Sequence, residues 1–258
     1  MKREPKSIFL RYLCGILLFV AAPFVIAADG PPPEPGVAEA FFCNYKPGKD
    51  RGDLMSAKDY YVKQAAKAGI TPDTSFLWTL FKGSAPVDFL WMSVHENMKA
   101  FGASTDASMA SSEMDSVGAR FDSVAKCQSN IGALRTIREA ELNVEKPPAL
   151  ISAASCNTHG PITQGDVMDM RNHINSVLGA IPSFKNVPMY SIVPLTTNPE
   201  SPDVFLFSVH DSVAGWATRT GELQASAEGK SLRRHFDAMM ECHPSLWFGE
   251  QLIAPPEG

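Results

Sequence analysis

Ser93-Val94-His95-Glu96 returns as Ser208-Val209-His210-Asp211, and from there residues 93–127 and 208–242 keep register without a gap. Eleven of these 35 positions are identical, among them Thr105 and Thr220, Glu113 and Glu228, Phe121 and Phe236, and Cys127 and Cys242. Average composition would supply roughly two. An earlier block agrees: Cys43-Asn44, Gly52-Asp53 and Met55 meet Cys156-Asn157, Gly165-Asp166 and Met168 at one fixed offset. The offset then grows by two residues. A turn is the natural place for them, where Lys82 to Pro86 faces the longer Thr196 to Pro202, because turns accept insertions. The second half therefore reads as a diverged copy of the first, and two copies imply two packed units where a solenoid needs three.

Within one copy the residue periods alternate between strand and helix. Ala38 to Asn44 and Leu150 to Asn157 are short apolar runs and predict strands. Leu54, Ala57, Tyr61, Ala65 and Ala68 recur at three or four residues, which predicts a helix over 54–68 capped by the preceding Gly-Asp. Ser75 to Phe81 and Val187 to Pro194 predict the next strands, and Asp88 to Val94 and Val204 to Val209 the ones after. A helical region broken near Gly102 to Ala110 follows, its long part over 112–125. A last strand is expected near 131–137 and again near 246–253. The order β-α-β-β-α-β, twice, is that of the ferredoxin-like unit. It gives an α+β fold with repeats over 38–138 and 149–258, and a linker over 139–148 marked by Pro147-Pro148.

The ends carry other signals. Lys2, Arg3, Lys6 and Arg11 precede an apolar run from Leu13 to Ala27, with small residues up to Ala28, so residues 1–28 read as a secretory signal peptide. Pro31, Pro32, Pro33 and Pro35 make 29–37 an extended linker. The formal net charge is −5 and the leader is basic, so the cleaved chain is more acidic still. That excludes nucleic acid as a partner, and no later stretch is expected to enter a membrane. Export into an oxidising compartment, periplasmic or extracellular, makes Cys43, Cys127, Cys156 and Cys242 disulfide candidates. No spacing among them suits a structural zinc ion.

With its broken second helix, the duplicated unit resembles the dimeric α/β-barrel superfamily, in which two ferredoxin-like units pack sheet to sheet. The resemblance lies in topology and covers Ala38 to Ile253. It implies that the tandem folds as an intramolecular pseudo-dimer. In such a unit the end of the first strand and the end of the second helix lie together. Cys43 is thus expected to meet Cys127, and Cys156 to meet Cys242, although both cross-copy pairings also respect the symmetry. Superfamily members include cofactor-free monooxygenases, isomerases and haem enzymes, so fold alone does not name a reaction.

The residues that carry chemistry each have a plainer reading. His95 and His210, beside Glu96 and Asp211, would serve as general bases or ligands. The plainer reading is structural, since Ser93-x-x-Glu96 spells a helix capping box and Ser208-x-x-Asp211 a weaker one. Asp53 and Asp166 read as helix-start carboxylates, and Asp122 and Asp237 as a solvated face. Asn44 and Asn157 end a central strand and would be ligand contacts only if a cleft lies there. Trp78 and Trp91 have no aromatic at the same place in the copy; Trp91 aligns with Leu206, which points to an apolar pocket on one side only. His159, His173, His235 and His243 occur only in the second copy, and no Cys-x-x-Cys-His or His-Glu-x-x-His motif accompanies them. No metal and no cofactor is therefore expected, with haem as a minor alternative. Two function classes follow: a small-molecule-binding or interaction protein of the cell envelope, or a cofactor-free enzyme, monooxygenase- or isomerase-like, on a small apolar or aromatic substrate.

Overall fold

The computed structural model describes residues 34–83, 85–142, 148–196 and 201–254. The expected signal peptide, most of the proline-rich linker and half of the linker between copies lie outside them. Glu34–Gly258 forms one compact unit. Its first half runs β1 (Gly36–Tyr45), α1 (Arg51–Ala68), β2 (Thr74–Lys82), β3 (Phe89–His95), α2 (Met98–Met109), α3 (Asp115–Asp122) and β4 (Ala125–Arg138). Its second half runs β5 (Ala149–Thr158), α4 (Gln164–Ala180), a 3-10 turn at Pro182–Phe184, β6 (Met189–Pro194), β7 (Val204–His210), α5 (Val213–Ala225), α6 (Ala227–Met239) and β8 (Met240–Ile253).

The eight strands close into an antiparallel barrel in the order β1-β3-β2-β8-β5-β7-β6-β4. Each half contributes four neighbouring strands, and the seams between halves are β2·β8 and β6·β4. Closure leaves no strand edge unpaired. One seam depends on a glycine: a Cβ at Gly132 would run into Ile192 Cγ2 and Val193 O across β4·β6.

Strand alternation sorts the core into three apolar clusters. Ala38, Ala40, Trp78, Leu90, Met92, Ile151, Phe207 and Trp247 point inside the barrel. On the outer face of the first half, Leu54, Leu77, Phe89, Trp91 and Val124 lie under the helices. Ile174, Leu178, Phe184, Val187 and Leu232 do so in the second. Leu54, Leu77 and Phe89 are almost fully buried, worth roughly 1.5–3 kcal/mol each in transfer free energy.

Local chemistry fixes the first helix of each half. Asp50, not the Gly-Asp pair, is the N-cap of α1: its carboxylate accepts from the Gly52 and Asp53 amides, and Asp53 returns a bond from the Asp50 amide. Thr163 and Asp166 repeat this box at α4. Gly69 closes α1 at φ 68°, a left-handed conformation that favours glycine.

Two expectations are corrected. The long helix over 112–125 is the shorter α3, and the last strands are 14 residues each, beginning at Ala125 and Met240. The early parts of β4 and β8 therefore run beside β1 and β5. Cys43 stands directly opposite Cys127, and Cys156 opposite Cys242. Both pairs are bonded, with Cα atoms 4.1 Å apart in each. The pairing is the one expected within each half.

Candidate functional site

The capping-box reading of the Ser-x-His stretch is also corrected. α2 is capped by Asn97 and α5 by Ser212, two residues beyond the histidines. Ser93 and His95 are residues of β3, and Ser208 and His210 of β7. Spaced by two, each pair faces the helix layer together.

In the first half, His95 is 7% exposed. Its Nδ1 lies 3.4 Å from Asp73 Oδ1, and Phe101 meets the ring edge-on at 5.2 Å. A carboxylate only accepts, so Nδ1 carries the proton. Nε2 is buried and has no hydrogen-bond partner among the described residues. Asp73 also accepts from the Ser104 hydroxyl at 2.8 Å, and its amide donates to the Tyr61 hydroxyl. Burial lowers the His95 pKa while Asp73 pulls it back up. Glu39, opposite Ser93 on β1, has its pKa raised by burial and then by Asp73. Burial pushes Tyr61 up to about 12. The Ser93 hydroxyl is engaged, meeting Ser75 Oγ at 3.2 Å and receiving the Trp91 indole N–H at 3.3 Å. Trp91 itself packs edge-on against Phe121.

The second half keeps the serine and histidine and changes what surrounds them. His210 is 2% exposed. Arg219 Nη1 lies 3.5 Å from its Nδ1, and Ser208 Oγ lies 2.9 Å from its Nε2. Arg219 also donates to Asp211 at 2.7 Å and to the Ser183 carbonyl at 2.8 Å. A guanidinium only donates, so Nδ1 accepts and Nε2 carries the proton. Burial, then the Arg219 charge, push the His210 pKa down to about 4, against a smaller upward pull from Asp211. The ring is neutral at neutral pH and donates to Ser208. The Ser208 hydroxyl hydrogen is then left over, with no acceptor among the described residues.

That hydroxyl lines a cavity of about 310 Å³ between the sheet and helices α4 and α6. Its other walls are mostly apolar, with Ile174, Leu178, Val187, Leu223 and Phe236 among them, and the largely exposed Arg233 is the one charged residue of the lining. The strand register explains the space. Ser75 pairs with Ser93 and Met189 with Ser208, so Val187 stands where Asp73 does. Glu39 and Ser152 likewise occupy matching places opposite the two serines. At the position of Trp91 the second half has Leu206, which leaves room beside Phe236.

Of the other sequence candidates, Trp78 faces the barrel interior and Trp91 the helix layer. Asn44 is exposed and donates to the Pro86 carbonyl at 3.2 Å; Asn157 is exposed, and neither lines a described cavity. His173 and His235 stack at 5.2 Å across α4 and α6, a pairing that sequence reasoning missed. Ser104 and Arg219, aligned positions on α2 and α5, were missed as well, though alignment to a helix facing the histidine could have found them. No cluster of three or more metal-ligating side chains occurs among the described residues.

No family model matches the chain, and no curated protein does. Solved structures do. A candidate monooxygenase from Fusobacterium nucleatum superposes with a TM-score of 0.53 at 10% identity, over 86% of this chain and 99% of that one. A candidate monooxygenase from Lactobacillus acidophilus gives 0.50 at 11%, over 86% and 100%. An anthrone oxidase-like protein gives 0.50 at 14%, over 86% and 97%. The chain has the ferredoxin-like α+β fold of the dimeric α/β-barrel superfamily. Identities this low show the fold alone.

The expectation of no cofactor is corrected by two further structures: a candidate chlorite dismutase (TM-score 0.49) and a heme-binding protein from Thermus thermophilus (0.47). The second of these is described as heme-binding. Among the residues lining the helix-side cavity, Met189 alone is of a type that ligates haem iron. Both ring nitrogens of His210 are engaged elsewhere.

Proposed function

We propose that the protein binds a small apolar molecule bearing one hydrogen-bond acceptor, such as a carbonyl, in the cavity between the sheet and helices α4 and α6. One observation carries this: apart from Arg233, whose largely exposed side chain pairs with Asp237, the lining is apolar around one directed donor, the Ser208 hydroxyl, oriented by His210 and Arg219. Its volume suits a small ligand, and such sites combine apolar walls with few placed polar groups. Monooxygenase-like proteins of the same fold fit a small-molecule ligand.

The geometry favours binding over catalysis. A base held near pKa 4 beside a cation is poorly suited to take a proton at neutral pH. His95 has the free Nε2 that a base needs, but neither described cavity reaches it. Two further readings belong to this proposal. The halves arose by tandem duplication and form an intramolecular pseudo-dimer, supported by the ungapped Ser93–Cys127 alignment and by matching strand pairings. The chain is exported to the periplasm or beyond, supported by the basic-then-apolar leader and two disulfides. Among the described residues no helix is long and apolar enough to cross a membrane.

Calorimetric titration with β-ionone, an apolar ketone, tests the binding site. The native protein should bind it, and Ser208→Ala should weaken binding about five- to tenfold, the worth of one hydrogen bond. Unchanged affinity in S208A removes the role given to that hydroxyl. Native mass spectrometry of protein purified from its source should show a co-purified small molecule.

A further inference from the structure

The barrel interior holds a cavity of its own, of about 400 Å³. Facing sheets normally fill the space between them to near-crystalline density, and unfilled apolar volume costs stability in proportion to its size. An eight-stranded barrel is just wide enough either to be filled by side chains or to hold one small ligand. Ala40 and Ala153, inward-facing on β1 and β5, withhold the side chains that would fill this one.

The walls and the rim differ in chemistry. Trp78 meets Phe207 edge-on at 5.0 Å, and Phe42 stacks on Phe205 at 5.6 Å. Trp247, buried, has its indole N–H satisfied by Ser245 Oγ at 2.8 Å. The aromatic surface therefore offers faces and edges without an unmet polar group. At the rim, alternation along β4 turns Gln128 and Asn130 to the same cavity, and β8 brings His243. Their side chains make no hydrogen bond with another described residue. Polar residues at inward positions of a barrel strand break the usual alternation. A deep aromatic slot with amide and imidazole groups at its mouth complements a flat ring with a polar substituent.

We propose that the barrel lumen is a second ligand site, for a small planar aromatic molecule bearing a hydroxyl group. The ring lies among Trp78, Phe207 and Trp247, and the hydroxyl meets Asn130 and Gln128 at the rim. This site is separate from the helix-side cavity and does not depend on it.

The test is a calorimetric titration with 2-naphthol of the full chain and of variants that fill one cavity each. Saturable binding at one site per chain is expected. Ala153→Leu, or Ala40→Leu from the opposite wall, should abolish it, and Leu223→Trp, at a residue that lines the helix-side cavity and not the lumen, should leave it unchanged. Asn130→Leu should weaken it about tenfold. Thermal melts identify any filled variant that does not fold, and the other wall's variant then decides. Loss of binding in L223W with retention in A153L places 2-naphthol in the other cavity and overturns the proposal. Absence of saturable binding to the native protein overturns it too.

Discussion

At the end of the third strand in each half stands a buried histidine two residues beyond a serine, and the two neighbourhoods have opposite charge. His95 faces the carboxylate of Asp73, and His210 faces the guanidinium of Arg219. The partners force opposite tautomers, Nδ1–H in the first half and Nε2–H in the second. The serines diverge in consequence. Ser93 is held in a chain with Ser75 and Trp91, whereas Ser208 keeps a hydrogen to give. One scaffold thus yields a closed polar layer filled by Trp91 and an open, mostly apolar cavity lined by the Ser208 hydroxyl. A few side chains at aligned positions, Ser104 and Arg219 or Trp91 and Leu206, decide which.

The disulfides are the feature in which the halves are most alike, and they set the scale. Cys43–Cys127 spans 84 residues and Cys156–Cys242 spans 86. Chain entropy gives each loop about 4 kcal/mol. Replacing both cysteines of either pair by serine should lower unfolding free energy by similar amounts in urea melts. A clearly smaller loss in one half would show that its cavity side already opens before global unfolding.

The next contrast is volume. Trp91→Leu gives the first half the second half's residue and should cost about 3 kcal/mol, as large-to-small core changes do. Leu206→Trp should cost less, since space is present, and should abolish β-ionone binding. If W91L is nearly neutral and L206W strongly destabilising, the two interiors are not packed as described.

Much of this architecture was legible in the chain. The ungapped register from Ser93 to Cys127 carries the strand-helix order, and the Trp91–Leu206 mismatch pointed to the one-sided cavity. The histidines were harder. Ser93-x-x-Glu96 has the spacing of a helix cap, but the strand runs on through His95, and Asn97 caps the helix instead. Parity held the clue, because Ser93 and His95 share the alternation of Phe89 and Trp91 on the helix-facing side. The early parts of β4 and β8 were missed because their inward residues, Gln128, Asn130 and His243, are polar. A strand lining a partly open lumen lacks the apolar period by which strands are recognised.

Charge is the third contrast, and acid reads it. The pKa of His210 is lowered from 6.5 to about 4, so the unfolded chain takes up a proton that the folded chain refuses. Stability from this group is complete above pH 6.5 and is lost as pH falls from 6.5 towards about 4, by an amount of order 2–3 kcal/mol. His95 is lowered too and adds in the same direction. Thermal melts from pH 7 to 4.5 should fall more steeply for the native protein than for His210→Gln. Equal slopes would mean that His210 is not held neutral by burial and Arg219.

The smallest effect isolates the sign of the partner. Asp73→Asn keeps an oxygen for the Ser104 hydroxyl and removes the charge beside His95. Stability should change by less than about 1 kcal/mol, as for a partly exposed ion pair. The titrations should move further than the stability does. His95, no longer drawn up by Asp73, should titrate at still lower pH in NMR, and Glu39, relieved of a like charge, should fall back towards the ordinary carboxylate range. Both shifts are downward and arise from one substitution, whereas His210, whose charged neighbours are Arg219 and Asp211, should not move. An upward shift of His95 would mean that Asp73 does not face its Nδ1. The contrast between an acid-paired and a cation-paired histidine would then fail at its first member, leaving the difference in packed volume as the sole distinction between the halves.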